Sequence, residues 1–196
     1  VGGGVAMESA AAGTFAAIST ELGGKDPGYV MEDADVDQAV DSLIDGAMFN
    51  SGQCCCGIER IYVHENVYEE FLAKAVELVQ SYKLGNPLDP KTTIGPMANI
   101  RFANETRAQI QEALDDGAIA HIDQFEEDDG ISCYVTPQIL TSVTHQMRIM
   151  RDYQHPNLAL PGHMHHHDYS REIWLYEVDP GYHTLRPMPD RLRYQQ

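Results

Sequence analysis

The chain has 196 residues, of which 30 are acidic and 13 are basic, and its formal net charge is −17 at pH 7. This length suits one principal domain, and the acidic surface argues against nucleic acid or an anionic membrane as the main partner, because both bind basic faces. The sequence has no apolar run of the roughly 18–20 residues that a membrane-spanning helix needs and no basic signal-type opening, which indicates a soluble, cytoplasmic protein.

The first third of the chain alternates helical and strand-like patterns. The first twenty residues are small and compatible with a helix, and turn signals then surround a short strand-like stretch, YVM, at 29–31. Apolar residues recur at helical spacing over 35–47, with Asp33 or Asp35 placed to cap the helix. The alternation over 58–65 predicts a strand.

The middle of the chain continues this alternation. Asn66 is the predicted cap of a helix over 67–83, and a second helix is predicted over 99–115. Gly117 stands where a left-handed helix end would place it. Short strands are predicted over 118–122 and 138–143. Together these elements predict an α/β fold with a largely parallel sheet flanked by helices.

Three of the four cysteines are consecutive, Cys54, Cys55 and Cys56, within NSGQCCCG at a predicted helix-to-strand junction. Disulfide geometry rarely suits neighbouring cysteines, so we expect reduced thiols. A cysteine acts as a nucleophile only as its thiolate, and a helix end or a polar backbone pocket can lower its pKa enough at neutral pH. Cys55 is a candidate nucleophile by position, and the alternative is three small side chains packed in a core.

The order ELGGKDP (21–27), FNSGQCCC (49–56) and RIYV (60–63) resembles the aldehyde dehydrogenase superfamily. The resemblance continues through EEFLAKAVELVQSYKLGNPLDPKTTIGPM and TPQILTSVTHQMRIM. It implies that residues 1–151 form an incomplete catalytic domain of the aldehyde dehydrogenase type and that 152–196 form an atypical tail.

Carried over by position, the resemblance implies that Cys55 is the nucleophile and Glu21 the general base, whereas Cys54 and Cys56 match no catalytic position. Cys55 would attack an aldehyde to give a thiohemiacetal, a hydride would pass to NAD or NADP, and Glu21 would activate the water that hydrolyses the thioester. The backbone N–H of Cys55 would donate to the oxyanion. Gly23 and Gly24 would let the backbone turn and approach neighbouring groups, with an ordinary turn as the alternative, and Gly23 is the only candidate for cofactor contact.

The family's dinucleotide-binding half normally precedes this region. The chain opens with VGGG, and it contains no G-x-G-x-x-G fingerprint. The alternative function is therefore a non-catalytic remnant or interaction domain. An incomplete sheet would expose an edge and apolar helix faces, which predicts self-association into a homo-oligomer or marginal stability.

The tail after residue 151 loses the resemblance abruptly and holds the run HMHHHD. A disordered tail, a shifted reading frame or a fusion would account for this change. We expect no specific metal site, and His163, His165 and His167 are the candidates for one, so a histidine-rich metal-binding module is a third functional hypothesis. The acidic run FEEDDG is predicted to be a solvated loop.

Overall fold

A computed structural model of the chain describes residues 2–150 and 172–178. The described helices and strands are α1 (Gly2–Ala11), β1 (Asp26–Val30), α2 (Val36–Met48), β2 (Ile58–His64), α3 (Glu65–Gln80), α4 (Ile100–Asp115), β3 (Ile119–Ala120), β4 (Gln138–Thr141) and β5 (Glu172–Val178). No helix in the described part of the chain is long and apolar enough to cross a membrane.

The five strands form one sheet in the order β1-β2-β5-β4-β3. The pairs β1–β2, β2–β5 and β5–β4 are parallel, and only the short strand β3 runs antiparallel to its neighbour β4. The predicted α/β fold with a largely parallel sheet is confirmed. Strand β1 begins at Asp26, earlier than the predicted stretch, and it contains Pro27, which an edge strand tolerates because one side needs no ladder hydrogen bonds.

Strand β5 was missed in the sequence, where the segment after residue 151 showed little strand periodicity. The structure places Glu172–Val178 in the middle of the sheet, paired on both sides. Its sequence, EIWLYEV, carries a continuous apolar run, which is typical of a central parallel strand and lacks the alternation of a half-exposed one. The division of the chain at 151/152 stays a prediction, although these seven residues beyond it belong to the sheet.

Most helix ends follow the sequence, but α3 ends at Gln80, three residues before the predicted end, and its cap differs from the predicted one. Asp35 caps α2 by accepting a hydrogen bond from the Gln38 N–H at 3.1 Å, and Gly117 adopts the left-handed conformation, with φ of 100°. The prediction that Asn66 caps α3 is wrong. The Nδ1 atom of His64 accepts from the Asn66 N–H at 3.2 Å, because β2 runs directly into the helix and its last residue takes the capping position.

The main hydrophobic core lies where α2 and α3 pack on β1 and β2, with Ile44, Ile61 and Phe71 fully buried. A second cluster joins α4 to β4 and the residues that follow it. Both clusters bury the apolar stripes of amphipathic helices, which is the principal source of stability in a domain of this kind.

One residue of the acidic run FEEDDG is not a solvated carboxylate, which corrects the prediction for that position. Asp128 accepts hydrogen bonds from the Arg107 guanidinium at 2.9 Å, from the Gly130 N–H at 3.0 Å and from the Thr136 N–H at 2.7 Å. Burial acts to raise the pKa of Asp128, but these hydrogen bonds outweigh it and hold the pKa below its ordinary value. The carboxylate thus fastens this loop to α4.

Candidate active site

The two candidate catalytic residues lie just before the amino ends of two adjacent parallel strands. Glu21 precedes β1, Cys55 precedes β2, and Asp26 at the start of β1 pairs with Ile58 at the start of β2. Neighbouring strands in a sheet are about 4.8 Å apart. The two motif segments therefore lie side by side where they enter the sheet, at the amino ends of β1 and β2.

A buried ion pair joins these two segments. Lys25, in the glutamate motif, pairs with Glu59, just beyond the cysteines, and the two residues are only 4% and 5% exposed. Arg60 adds hydrogen bonds from Nε and Nη2 to the carbonyl oxygen of Lys25, at 3.0 and 2.5 Å. Sequence reasoning missed these residues, although charged side chains at the starts of two predicted strands could have signalled them.

The segment that leads into the cysteines has an unusual backbone. Phe49–Gly52 form a tight turn, within which Asn50, Ser51 and Gly52 have φ of 51°, 60° and 73°. Asparagine and glycine favour this left-handed region, whereas serine does not. After the cysteines, the Gly57 N–H donates to the Cys54 carbonyl oxygen at 3.1 Å and closes a turn into β2. The cysteines lie at a junction between helix and strand, as predicted.

All three thiols are free, as expected, and Cys55 and Cys56 are exposed whereas Cys54 is partly buried. The Sγ atoms of Cys54 and Cys56 lie 3.5 Å apart. The backbone N–H of Cys56 lowers the pKa of the Cys54 thiol, and the Cys56 thiol adds to this effect. Conversely, hydrogen bonding to Cys54 raises the pKa of the Cys56 thiol. Cys55 is therefore an exposed thiol that lies between two cysteines, Cys54 and Cys56, whose thiols interact with each other.

Glu21 is exposed, in a segment without regular secondary structure, and its side chain forms no hydrogen bond or ion pair within the described residues. The segment nevertheless packs closely on α1. A Cβ atom on Gly4 would lie 2.7 Å from Cδ1 of Leu22, so a larger residue there would require the Leu22 side chain to move. Gly23 has φ of 99°, which gives it a conformational reason to be glycine. Its contact with a cofactor stays a prediction.

A cleft of about 750 Å³ lies on the other side of the cysteine loop. Asn50, Ser51, Tyr82 and Pro96 are among the residues that line it, but none of the three cysteines does. The cleft is therefore not the place where a substrate would meet Cys55.

The described residues include no group of three or more His, Cys, Asp or Glu that could hold a metal ion. The candidate ligands His163, His165 and His167 lie outside the described residues. Gly2, Gly3 and Gly4 lie in the first turn of α1. We assign no cofactor-binding residue there.

Comparison with known proteins gives the family. The sequence matches the family model described as the aldehyde dehydrogenase family over residues 1–153. The chain belongs to the aldehyde dehydrogenase family. The resemblance carried by the motifs at Glu21 and Cys55 is thereby confirmed, and the roles of these two residues remain predictions.

Individual aldehyde dehydrogenases match in sequence and in fold. A 3,6-anhydro-alpha-L-galactose dehydrogenase from Vibrio sp. (strain EJY3) is 40% identical over 146 residues, which cover 73% of this chain and 30% of that protein. A structure of 3,6-anhydro-L-galactose dehydrogenase in complex with NAP (NADP) is 30% identical, covers 90% of this chain and 35% of its own, and has a TM-score of 0.75.

A third match is the betaine aldehyde dehydrogenase of Staphylococcus aureus in complex with NAD+. It is 25% identical, covers 91% of this chain and 33% of its own, and also has a TM-score of 0.75. The chain thus spans about a third of the length of the relatives it matches. These two solved aldehyde dehydrogenase structures are complexes, one with NAD+ and the other with NADP.

Proposed function

We propose that this chain carries the nucleophile and the general base of an aldehyde dehydrogenase, which oxidises an aldehyde to a carboxylic acid with NAD+ or NADP+. The observation that carries the proposal is the arrangement of the two motif segments. They enter adjacent parallel strands at one edge of the sheet, and the buried Lys25–Glu59 ion pair joins them. An exposed thiol and an exposed carboxylate, both accessible to a small aldehyde, are thus presented at that edge.

Cys55 performs the first step. Its thiolate attacks the aldehyde carbon, the C–S bond forms, and the carbonyl oxygen becomes an oxyanion that a backbone N–H of the cysteine loop stabilises. The step needs no deep pocket, because the Cys55 side chain is already exposed. Oxidation of the adduct requires a hydride acceptor, which is the chemistry that NAD+ or NADP+ supplies.

Glu21 performs the last step. Its carboxylate takes a proton from water, the hydroxide adds to the thioester carbon, and the Cys55 thiolate leaves as the carboxylic acid is released. An ionised carboxylate is suited to this role at neutral pH, and the exposed position of Glu21 gives it access to water.

The test uses p-nitrophenyl acetate, an activated ester that acylates a thiol without any oxidation. We expect a burst of p-nitrophenolate and acetylation of Cys55, found by mass spectrometry of its peptide. In Glu21→Gln the burst should remain while steady turnover falls about 100-fold, because only hydrolysis needs the base. Glu8→Gln, an exposed carboxylate on α1, is the matched control and should behave like the unmodified chain.

The same variants are then assayed for aldehyde-dependent reduction of NAD+ and of NADP+, with Cys55→Ala as the inactive reference. Acetyl groups spread evenly over the four cysteines would contradict the proposal and identify the chain as a non-catalytic remnant. Burst acylation of Cys55 without reduction of either dinucleotide would support the roles of Cys55 and Glu21 and show that oxidation needs a part beyond this chain.

A further inference from the structure

We propose that Gln53 is a positioning residue for Cys55 and that it acts by fastening the cysteine loop to the segment 95–98. This inference rests on the proposed function, since it concerns the presentation of the nucleophile. Gln53 stands two residues before Cys55 and follows the left-handed turn at Asn50, Ser51 and Gly52.

The turn before Gln53 needs restraints from outside itself. Two successive non-glycine residues, Asn50 and Ser51, occupy the left-handed region, and Gly52 extends it. Such a conformation persists only where surrounding contacts over-determine it. When those contacts are lost, the turn is free to relax, and the cysteines that follow it will move with it.

Gln53 supplies several of these contacts through both ends of its amide. Its Nε2 donates to the Asn50 carbonyl oxygen at 3.1 Å, and its Oε1 accepts from the Ala98 N–H at 2.7 Å. Its backbone N–H also donates to the Asn50 carbonyl oxygen, at 3.2 Å, and its own carbonyl accepts from Asn50 Nδ2 at 3.1 Å. Gln53 therefore holds the turn closed and joins it to the segment 95–98.

The segment 95–98 is firmly anchored at its other contacts. Met97 is 2% exposed, packs against Ala103 and Val135, and donates its N–H to the Cys133 carbonyl oxygen at 2.8 Å. The Ser51 hydroxyl donates to the Gly95 carbonyl oxygen at 2.9 Å, which gives the turn a second attachment to the same segment. A continuous path thus leads from the core through Met97 and Ala98 to Gln53 and the nucleophile.

The amide of Gln53 is required for this role because it donates at one end and accepts at the other. A glutamate in its place keeps the acceptor for the Ala98 N–H but loses the donor to the Asn50 carbonyl. A methionine has nearly the same shape, cannot donate, and accepts only weakly. The two substitutions therefore separate the two contacts without a large change in side-chain volume.

The experiment measures the rate of iodoacetamide labelling at Cys55 as a function of pH, with N-acetylcysteine in the same tube as the reference thiol. Fragment-ion mass spectrometry distinguishes Cys55 from its neighbours. We expect Gln53→Met to lower the rate of Cys55 relative to the reference by about tenfold, since misplacement of a reacting group by about 1 Å can cost as much as 100-fold. Gln53→Glu should give a smaller loss.

Two controls separate positioning from general unfolding. Gln111→Met removes an exposed glutamine whose Nε2 donates to Asp115 within α4, and it should leave the Cys55 rate unchanged. Hydrogen exchange at the Ala98 N–H should accelerate in Gln53→Met while exchange in α2 and β2 stays as in the unmodified chain. That pattern would show release of the loop in a folded protein.

Labelling of Cys55 at an unchanged rate in Gln53→Met would overturn the inference and leave the proposed function standing. A Cys55 that reacts no faster than N-acetylcysteine in the unmodified chain at any pH would instead count against the proposed function itself. The two failures are therefore distinguishable, because one appears only in the variant and the other already in the unmodified chain.

Discussion

Three identical neighbouring side chains have three different environments in this protein. Cys54 is partly buried and its thiol accepts a hydrogen bond from the Cys56 N–H. Cys56 is exposed and its thiol hydrogen-bonds to that of Cys54, and Cys55 is exposed between them. The thiols of Cys54 and Cys56 interact so that ionisation of Cys54 is favoured and ionisation of Cys56 is opposed. The pKa of the Cys54 thiol therefore lies below that of the Cys56 thiol.

The pH dependence of alkylation tests whether the Cys54 thiol ionises at a lower pH than the Cys56 thiol. Because iodoacetamide consumes the thiolate, we expect labelling of Cys54 to reach half its maximum at a lower pH than labelling of N-acetylcysteine, and labelling of Cys56 at a higher pH. In Cys54→Ala the Cys56 midpoint should fall toward that of the reference, because the partner that raises its pKa is gone. A Cys56 midpoint below that of Cys54 in the unmodified chain would contradict the assignment.

At this scale Cys55 and Glu21 stay predictions from the motifs, whereas the contacts that hold their segments in place could not be predicted from the sequence. The motif letters identify which side chains match the family's chemistry. Lys25, Glu59 and Gln53 act through contacts with residues 34 to 45 positions away, and no local periodicity encodes such contacts. The proposed role of Gln53 in particular depends on the hydrogen bond from the Ala98 N–H, which the sequence does not reveal.

Between elements, the contact of most consequence for the site is the Lys25–Glu59 ion pair, which joins the start of β1 to the start of β2. Both residues are buried, so removing one would leave a charge in a poorly solvated place. Arg60 reaches the same point through the backbone carbonyl of Lys25, and this contact does not depend on the lysine side chain.

Lys25→Met is therefore expected to lower the free energy of unfolding by about 3–5 kcal/mol, since it removes the ammonium group that faces the buried Glu59 carboxylate. The double variant Lys25→Met with Glu59→Leu should recover most of that loss, because it removes both charges. Urea unfolding followed by circular dichroism measures both. If the double variant is as unstable as the single one, the ion pair is not what stabilises this corner of the sheet. Lys74→Met is a matched control, because Lys74 is half-exposed and pairs with Asp37 and Glu70 near the surface.

The elements themselves were predictable to the extent that their patterns are local. Helices α2 and α4 follow from apolar spacing and caps, and their observed bounds lie within one or two residues of the prediction. The cap of α3 was misplaced, because the strand before it supplies His64 in the position where a loop would have used Asn66. Strand β5 could not be recognised from periodicity, because its role depends on pairing with β2 and β4, which are far away in the chain.

Across the whole molecule, the exposed apolar residues concentrate near the start of the chain. Met7, Phe15 and Ile18 in this region are exposed, as is Tyr29 on the edge strand β1. Such a surface favours association, and an edge strand offers unpaired backbone groups to a second copy. The net charge of −17 acts in the opposite direction, because copies of the chain repel one another.

The predicted self-association should therefore depend on salt. We expect light scattering to show a rising mass as sodium chloride increases, because screening shortens the range of repulsion to about 10 Å at 0.1 M. Phe15→Ser should reduce the mass at high salt, and Glu126→Gln, which is exposed in the loop before Asp128, should not. A monomer at every salt concentration, with one sharp unfolding transition, would refute the prediction.

The central place of β5 also governs when the sheet can close. Its neighbours β2 and β4 are synthesised first, but they do not pair with each other in the sheet. The strand that lies between them and pairs with both, residues 172–178, is made last. Pairing β2 with β5 closes a loop of more than a hundred residues, and long-range parallel pairing of this kind forms slowly. A chain halted by the ribosome before residue 172 would expose the unpaired edges of β2 and β4. A strand from another nascent chain could then pair with either edge.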